Sequence, residues 1–359
     1  MTHLELFSGI GGFRQAMELL TQDNIMDFES IGYSEIDSKA LMTYCANFHP
    51  DEGELAIGDI VAFTANAQNI ENLPNFDLLT GGFPCQTFSM MGKQAGFDED
   101  RGQMFFRIID ILQIKHPRYV LLENVKNLVN HDRGNTFRRI VHELEGLGYN
   151  VFHNIFNTAD FHLPQTRNRL VIFATTEDIN LQWMRENYIS ENIRMIYDDV
   201  FMHLSPFHYD SVIDLLAQDV EPKYFLSERI KPTLLANGSA NFRSKSDINM
   251  RIARPLTATM HKMHRACQDN YYSQDFIESH GVINHVEDYT KEQLAQLPIR
   301  KLTPEEAFML QGFPVEFAIN ARNAGVADGS LYKQAGNAVS VNTIYAILYY
   351  LITNNIIHE

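Results

Sequence analysis

LELFSGIGGFRQAM, residues 4–17, reads as a strand, a glycine-rich turn and the start of a helix. Gly9, Gly11 and Gly12 permit backbone shapes and close approaches that side chains forbid, and the helix start offers N–H groups without intrahelical partners. Such a corner holds a ligand or merely turns the chain, and the stretch alone does not choose. The pattern it begins decides the fold. HLELF (3–7), ESIGYSEI (29–36), FDLLT (76–80), YVLLENV (119–125) and LVIFAT (170–175) read as strands. FRQAMELL, DSKALMTYCANF, MFFRIIDILQI and TFRRIVHELEGLG between them carry apolar residues at helical spacing. This alternation predicts an α/β fold, a parallel sheet with helices on both faces. The pattern degrades after about residue 176 and returns at Arg300, with TPEEAFMLQGF and NAVSVNTIYAILYYLI. The expected layout is one domain from 1–176 plus 300–359, interrupted by a smaller one over 177–299.

Composition excludes several classes. The 359 residues are 45% hydrophobic and 21% charged, as in ordinary globular enzymes. With no run of 18 apolar residues, no membrane span is expected. The start lacks a basic stretch followed by an apolar one, so no secretory signal is expected. Cys45, Cys85 and Cys267 are widely spaced and odd in number, which suits a reducing, cytoplasmic setting. His261, His264 and Cys267 have metal-like spacing but lack a fourth ligand, so no metal is expected. The net charge of −16 runs against a nucleic-acid partner. Between Lys223 and Arg265, however, the basic residues are opposed only by Glu228 and Asp247, so an acidic chain carries one basic segment.

Chemistry concentrates at the strand ends. Glu35 closes the second strand, where a carboxylate is placed to accept hydrogen bonds from ribose hydroxyls. Asp59, in GDI, closes a third strand-to-loop junction, and the three ends together describe a nucleoside pocket. GGFPCQTFS (81–89) sets Cys85 behind a proline in a glycine-flanked turn, a presented thiol rather than a small core hydrophobe. ENV puts Glu123 at the end of an apolar strand, and QTRNR sends Arg167 and Arg169 to one side of the strand they enter.

The blocks LFSGIGG, YSEID, GDI, GGFPCQTFS, GFDEDRGQMFF, LLENV, QTRNR, KLTPEEAFMLQGFP and YKQAGNAVSVN occur in this order. On them the chain resembles a DNA (cytosine-5) methyltransferase of the bacterial restriction-modification type, over nearly all its length outside the middle segment. The resemblance implies a class I S-adenosylmethionine-dependent methyltransferase (Rossmann-like) sheet with an inserted target-recognition domain. It implies S-adenosylmethionine as cofactor, held by Phe7, Gly9, Gly11, Gly12, Glu35, Ile36, Asp59, Ile60, Pro84 and Asn337. Cys85 would be the nucleophile, Glu123 would bind the edge of the target cytosine, and Arg169, supported by Arg167, would contact the base. DNA contacts would come from Gln86, Ser89, Met91, Lys93 and Gln165, and from Arg243, Lys245, Arg251, Arg254 and Lys262 in the middle segment. Gln165 would also help seat the arginine pair, and Met90 or Met91 would fill the gap left by an extruded base. The family's Thr-Leu pair has two candidate positions, Thr233-Leu234 and the altered Leu256-Thr257, and the choice stays open.

The residue types suit that reaction. Carbon 5 of cytosine is a poor nucleophile until a thiolate adds at carbon 6, and a hydroxyl is too weak for that task at neutral pH. An acid at the ring nitrogen stabilises the charge that develops. The base must leave the stack first, as it does for methyltransferases in general. The partners implied are double-stranded DNA and a cognate restriction endonuclease acting separately, with the chain itself a monomer. Two other readings compete: a transfer-RNA cytosine methyltransferase, and a DNA-binding protein that has lost catalysis. Against the first stands a middle segment of over a hundred residues. Against the second stands the joint presence of Cys85, Glu123, Arg167 and Arg169.

Overall fold

The computed structural model describes residues 1–358 except 85–102, 180–188, 240, 241, 244 and 263–265. Seven strands form the central sheet: β1 (Thr2–Leu6), β2 (Glu29–Ser34), β3 (Leu55–Ala56), β4 (Leu78–Gly82), β5 (Tyr119–Val125), β6 (Asn150–Asn157) and β7 (Asn168–Thr175). Their order is β3-β2-β1-β4-β5-β7-β6. β1 to β5 pair in parallel, and β7 runs antiparallel to both β5 and β6. The all-parallel expectation is therefore corrected at β7. Two strands, β3 and β6, add to the five quoted from sequence, the first of them just ahead of the strand-to-loop junction read at Asp59. β3 has only two residues, and β6 keeps just Phe152 and Phe156 fully buried among Asn150, His153, Asn154 and Asn157, so neither gives a strong apolar run.

Helices cover both faces, so the inner strands are buried on both sides and largely apolar, with His3, Glu5, Thr80, Glu123 and Asn124 as buried polar exceptions. Leu4, Leu6, Leu79, Val120, Leu122 and Ile172 face one core, with Ile108, Leu112, Ile140 and Leu144 from the helices Gln103–Lys115 and Asn135–Gly146. Leu78, Tyr119, Leu121, Val171 and Phe173 face the other, with α1 (Gly12–Gln22) and the helix Val341–Thr353. The stretch Asp328–Thr353 is long and apolar enough by composition to cross a membrane, but 78% of its most apolar window is buried inside the protein, so it is a core element. The middle segment has a small core of its own around Leu226, Leu234, Ile248, Tyr271, Leu294 and Ile299. It also sends Tyr197, Val212, Leu256 and Phe276 into the main core.

A buried ion pair joins the middle segment to the returning chain. Arg300 and Glu306, 0% and 2% exposed at the side chain, meet through two bonds of 2.7 and 2.8 Å. Arg300 also donates to the Ala217 carbonyl, while Glu306 accepts the Ala217 and Thr303 N–H groups. Removing one partner strands the other without water, so Arg300→Met is expected to destabilise the fold by about 3–5 kcal/mol, measurable by urea unfolding. A loss below about 1 kcal/mol, the level of an exposed pair, would contradict this.

β1 carries a second buried polar pair on its α1 side. His3 Nε2 lies 2.7 Å from Thr80 Oγ1, and burial, aided by Arg14, lowers its pKa from 6.5 to about 3. Burial, opposed by Arg14, raises that of Glu5 from 4.5 to about 8. Above pH 6.5 the unfolded chain has released the Glu5 proton that the fold keeps, so stability falls as pH rises towards 8. Below pH 4.5 the unfolded chain binds a proton at His3 that the fold refuses, so stability falls as pH drops towards 3. Between these limits the two slopes, each about 1.4 kcal/mol per pH unit, cancel. Glu5→Gln is expected to remove the alkaline fall. A difference between variant and wild type that does not change from pH 6.5 to 8 in chemical unfolding would contradict the assignment.

Candidate active site

The strand order reverses between β1 and β4, and open α/β sheets bind ligands beyond the carboxyl ends of the strands at such a point. Directly after β1 come Phe7 with φ 54° and, past Ser8, Gly9 with φ 57°; the first is a conformation bulky residues rarely hold and functional sites often do. The Ser8 N–H donates to the Ser34 carbonyl at 2.9 Å, fastening the end of β1 to that of β2. Glu35, next after β2, accepts the N–H groups of Gly9 at 2.8 Å, Ile36 at 2.8 Å and Asp37 at 2.6 Å. These bonds fix its carboxylate on the rim of the turn and leave acceptor capacity for a hydroxyl. Beside it Ile36 is 75% exposed, an apolar side chain bared where a flat base would pack.

The three glycines of the turn differ in what surrounds them. A Cβ on Gly9 would meet nothing within 4 Å, so open space lies above it. A Cβ on Gly11 would lie 2.2 Å from the Phe48 ring, and one on Gly12 would lie 2.9 Å from the Val339 carbonyl oxygen. Those two are held small by the chain's own packing. Asp59 is exposed and caps the helix Ile60–Thr64 through the Val61 N–H at 2.9 Å, whereas Ile60 is buried in the core beneath it. Asn337 is exposed at the end of the helix Asp328–Asn337. An acceptor-only carboxylate, a bared Ile36 and the space over Gly9 fit a nucleoside cofactor.

β4 and β5 carry the other half of the edge. Gly82 pairs with Glu123, and a Cβ on Gly82 would lie 3.6 Å from Glu123 Oε2. Pro84 comes next but one; Cys85, Gln86, Ser89, Met90, Met91 and Lys93 lie outside the described residues. Because β7 is antiparallel, its beginning, not its end, lies at this edge, and Arg169 stands opposite Val125. Arg169 Nε is 2.8 Å from Glu123 Oε1. Burial pushes the Glu123 carboxyl above the usual range, against the opposite pull of Arg169 and Arg167.

Arg167 is 1% exposed. Its guanidinium donates to the carbonyls of Leu256 at 3.0 Å, Gly336 at 3.1 Å and Ala338 at 2.8 Å. Burial first, then Arg169, lowers its pKa to about 9, still charged at neutral pH. Gln165 is fully buried, donating to the Leu310 carbonyl at 2.8 Å and accepting the Leu256 N–H at 2.9 Å. Its side chain therefore clasps the protein's interior, seating the arginine strand, and offers no surface to DNA. A Cβ on Gly336 would lie 2.3 Å from the Thr257 backbone carbon, so the same clasp needs glycine there. Leu256–Thr257 thus lies against the site, while Thr233 and Leu234 belong to the helix Lys231–Leu235, with Leu234 in the small core.

The basic segment is less free than its sequence count. Lys231 is buried against Glu228 and the Leu297 carbonyl. Lys223 pairs with Glu221 and Asp328, partners that the count within 223–265 could not include. Lys245 pairs with Asp247 at 3.1 Å, Arg251 donates to the Gly281 carbonyl, and Arg254 to that of Asp247. Lys262 is exposed; the Arg243 side chain and Arg265 lie outside the described residues. Among the described residues no group of three or more His, Cys, Asp or Glu side chains is placed to hold a metal, and His264 is not among them. Sequence reasoning missed Asn124 and Val339 as parts of this edge. Asn124 stood in ENV beside a more eloquent glutamate, and Val339, packed over Gly12 and Gly82, has no polar signal at all.

Strand order and edge together define the class I methyltransferase fold. The family model of the C-5 cytosine-specific DNA methylases matches residues 1–353, and the chain belongs to that family. It is 35% identical to the type II methyltransferase M.NgoBI of Neisseria gonorrhoeae, over 96% of this chain and 90% of that one. It is 33% identical to the type II methyltransferase M.HaeII of Haemophilus aegyptius, with the same coverage. Among solved structures it is similar to the Entamoeba histolytica methyltransferase EhMeth, with a TM-score of 0.72 and 19% identity over 100% of this chain and 99% of that one. It is also similar to the S. pombe Dnmt2 methyltransferase, with a TM-score of 0.70 and 21% identity over 99% of each. At such identities the last two speak for the fold. The protein is a DNA (cytosine-5) methyltransferase.

Proposed function

We propose that the protein methylates carbon 5 of an extruded cytosine within one short duplex sequence and so protects that DNA from a separately acting restriction endonuclease. The observation that carries the reading is the Glu123–Arg169 pair beside Gly82, three residues before Cys85. The Cys85 thiolate adds to carbon 6, breaking the 5,6 double bond and making carbon 5 electron-rich. Glu123, kept towards its acid form by burial, hydrogen-bonds the ring nitrogen as charge develops there. Arg169 holds that carboxyl in place and contacts the base. Once carbon 5 carries the methyl group, loss of its proton and expulsion of the thiolate restore the ring.

S-adenosylmethionine, when bound, supplies the methyl group on a sulfonium. Glu35 would accept its ribose hydroxyls, Ile36 would pack on its adenine, and Phe7, Gly9, Asp59 and Asn337 would line its place. DNA would bind across the edge beside Leu256–Thr257, with Lys245, Arg251, Arg254 and Lys262 contacting phosphates or bases. The test is transfer of labelled methyl from S-adenosylmethionine to duplex DNA and, separately, to transfer RNA. Label in DNA cytosine supports the reading. Label in RNA alone replaces it with the RNA-directed one, and label in neither, from protein that binds both DNA and cofactor, replaces it with loss of catalysis.

A further inference from the structure

The backbone ladder between β4 and β5 stops at the pair Gly82–Glu123. One residue further on, a side chain takes over. Asn124, 3% exposed, donates from Nδ2 to the Phe83 carbonyl at 2.9 Å, and its Oδ1 accepts the Val125 N–H at 2.8 Å. The second bond fixes the amide so that the first is made from its donor end. On the other side of the same residue the Phe83 ring is buried, 5.7 Å from that of Phe105. Pro84 then has a fixed φ and confines Phe83 to extended backbone.

We infer that Asn124 is a positioning residue for the methyl transfer proposed above: it pins the Phe83–Pro84 peptide, one residue short of Cys85, to the strand that carries Glu123. The inference rests on that proposed reaction. Asn124 touches neither substrate nor cofactor. One strand thereby sets the acid, through residue 123, and the starting direction of the nucleophile's loop, through residue 124. The bond needs a donor facing a carbonyl, so an aspartate of the same shape is the wrong residue, an acceptor facing an acceptor.

The test compares wild type with Asn124→Asp, Asn124→Ala and Asn124→Ser, the last retaining a donor without charge should the aspartate fail to fold. Methyl transfer is measured against DNA and cofactor concentration, and Cys85 alkylation by iodoacetamide is followed against pH by mass spectrometry. Melting temperatures report folding. Misplacing a reacting group by about 1 Å costs on the order of a hundred-fold, so kcat of Asn124→Asp should fall by about that much with both KM values little changed. The pH profile of Cys85 alkylation should move with it, and Asn124→Ser should recover part of the loss. Wild-type kcat in the aspartate and alanine variants would overturn the inference, as would a loss matched by rising KM and falling melting temperature, which marks a merely structural role. If wild-type protein methylates no nucleic acid, the parent reading fails, while an alkylation profile unmoved by Asn124→Asp overturns the inference by itself.

Discussion

Cys85→Ser is expected to remove methyl transfer, by about four orders of magnitude or more, as when a nucleophile is taken from residues that act as a unit. The reason lies in the substrate. Cytosine carbon 5 attacks a sulfonium only after a nucleophile has added at carbon 6, and a thiol, about a few per cent thiolate even at an ordinary pKa, is a far stronger nucleophile at neutral pH than a serine hydroxyl. DNA and cofactor binding should survive, since neither depends on the thiol. Cys45→Ser is the control: that thiol lies on the helix Ser38–Phe48, 3.9 Å from the Tyr33 hydroxyl, and transfer should continue. A Cys85→Ser protein transferring at the wild-type rate in single-turnover assays would remove the covalent step from the account.

Glu123→Gln is expected to lower kcat by about a hundred- to ten-thousand-fold, the span of general acid–base contributions. Glutamine can still donate to a ring nitrogen, but it cannot give up a proton there beside Arg169, whose Nε lies 2.8 Å from Glu123 Oε1. Burial raises the Glu123 pKa, so its acid form persists to higher pH than in an exposed glutamate and is then lost as pH rises through the raised value. The wild-type rate should therefore show an alkaline limb from this group that the glutamine variant lacks. Stopped-time assays across pH decide it: identical profiles for the two proteins would place the rate-limiting titration elsewhere.

Much of this architecture was legible because its signals are local. Glycines after an apolar run, a carboxylate at a strand end and a cysteine behind a proline each state their chemistry within a few residues. The central strands β1, β4 and β5 stood out because they are buried on both faces. β6 did not, because an edge strand needs only Phe152 and Phe156 inside. The sense of β7 was hidden for another reason: a strand's direction is set by what it pairs with, not by its own residues. That direction is what brings Arg169 to Glu123.

The roles of the arginines divided for a similar reason. Spacing put Arg167 and Arg169 on one side, but only the fold shows that Arg167 is enclosed by the carbonyls of Leu256, Gly336 and Ala338, residues 89, 169 and 171 positions away. Gln165 shifts inward on the same ground, its partner at Leu310 being 145 positions distant. The count of opposing charges within 223–265 could not include Asp328, which lies far along the chain and pairs with Lys223. That Gln165 and Arg167 both bind the backbone of Leu256, and not that of Thr233 or Leu234, was hidden for the same reason.

The most direct test of the central claim is bisulfite sequencing of DNA from a methylation-free bacterial host expressing this chain, beside a host expressing Cys85→Ser. Protected cytosines are expected at one recurrent short motif with the wild-type chain, and none with the variant. Unprotected DNA throughout, in cells containing folded protein that binds S-adenosylmethionine, would contradict the claim.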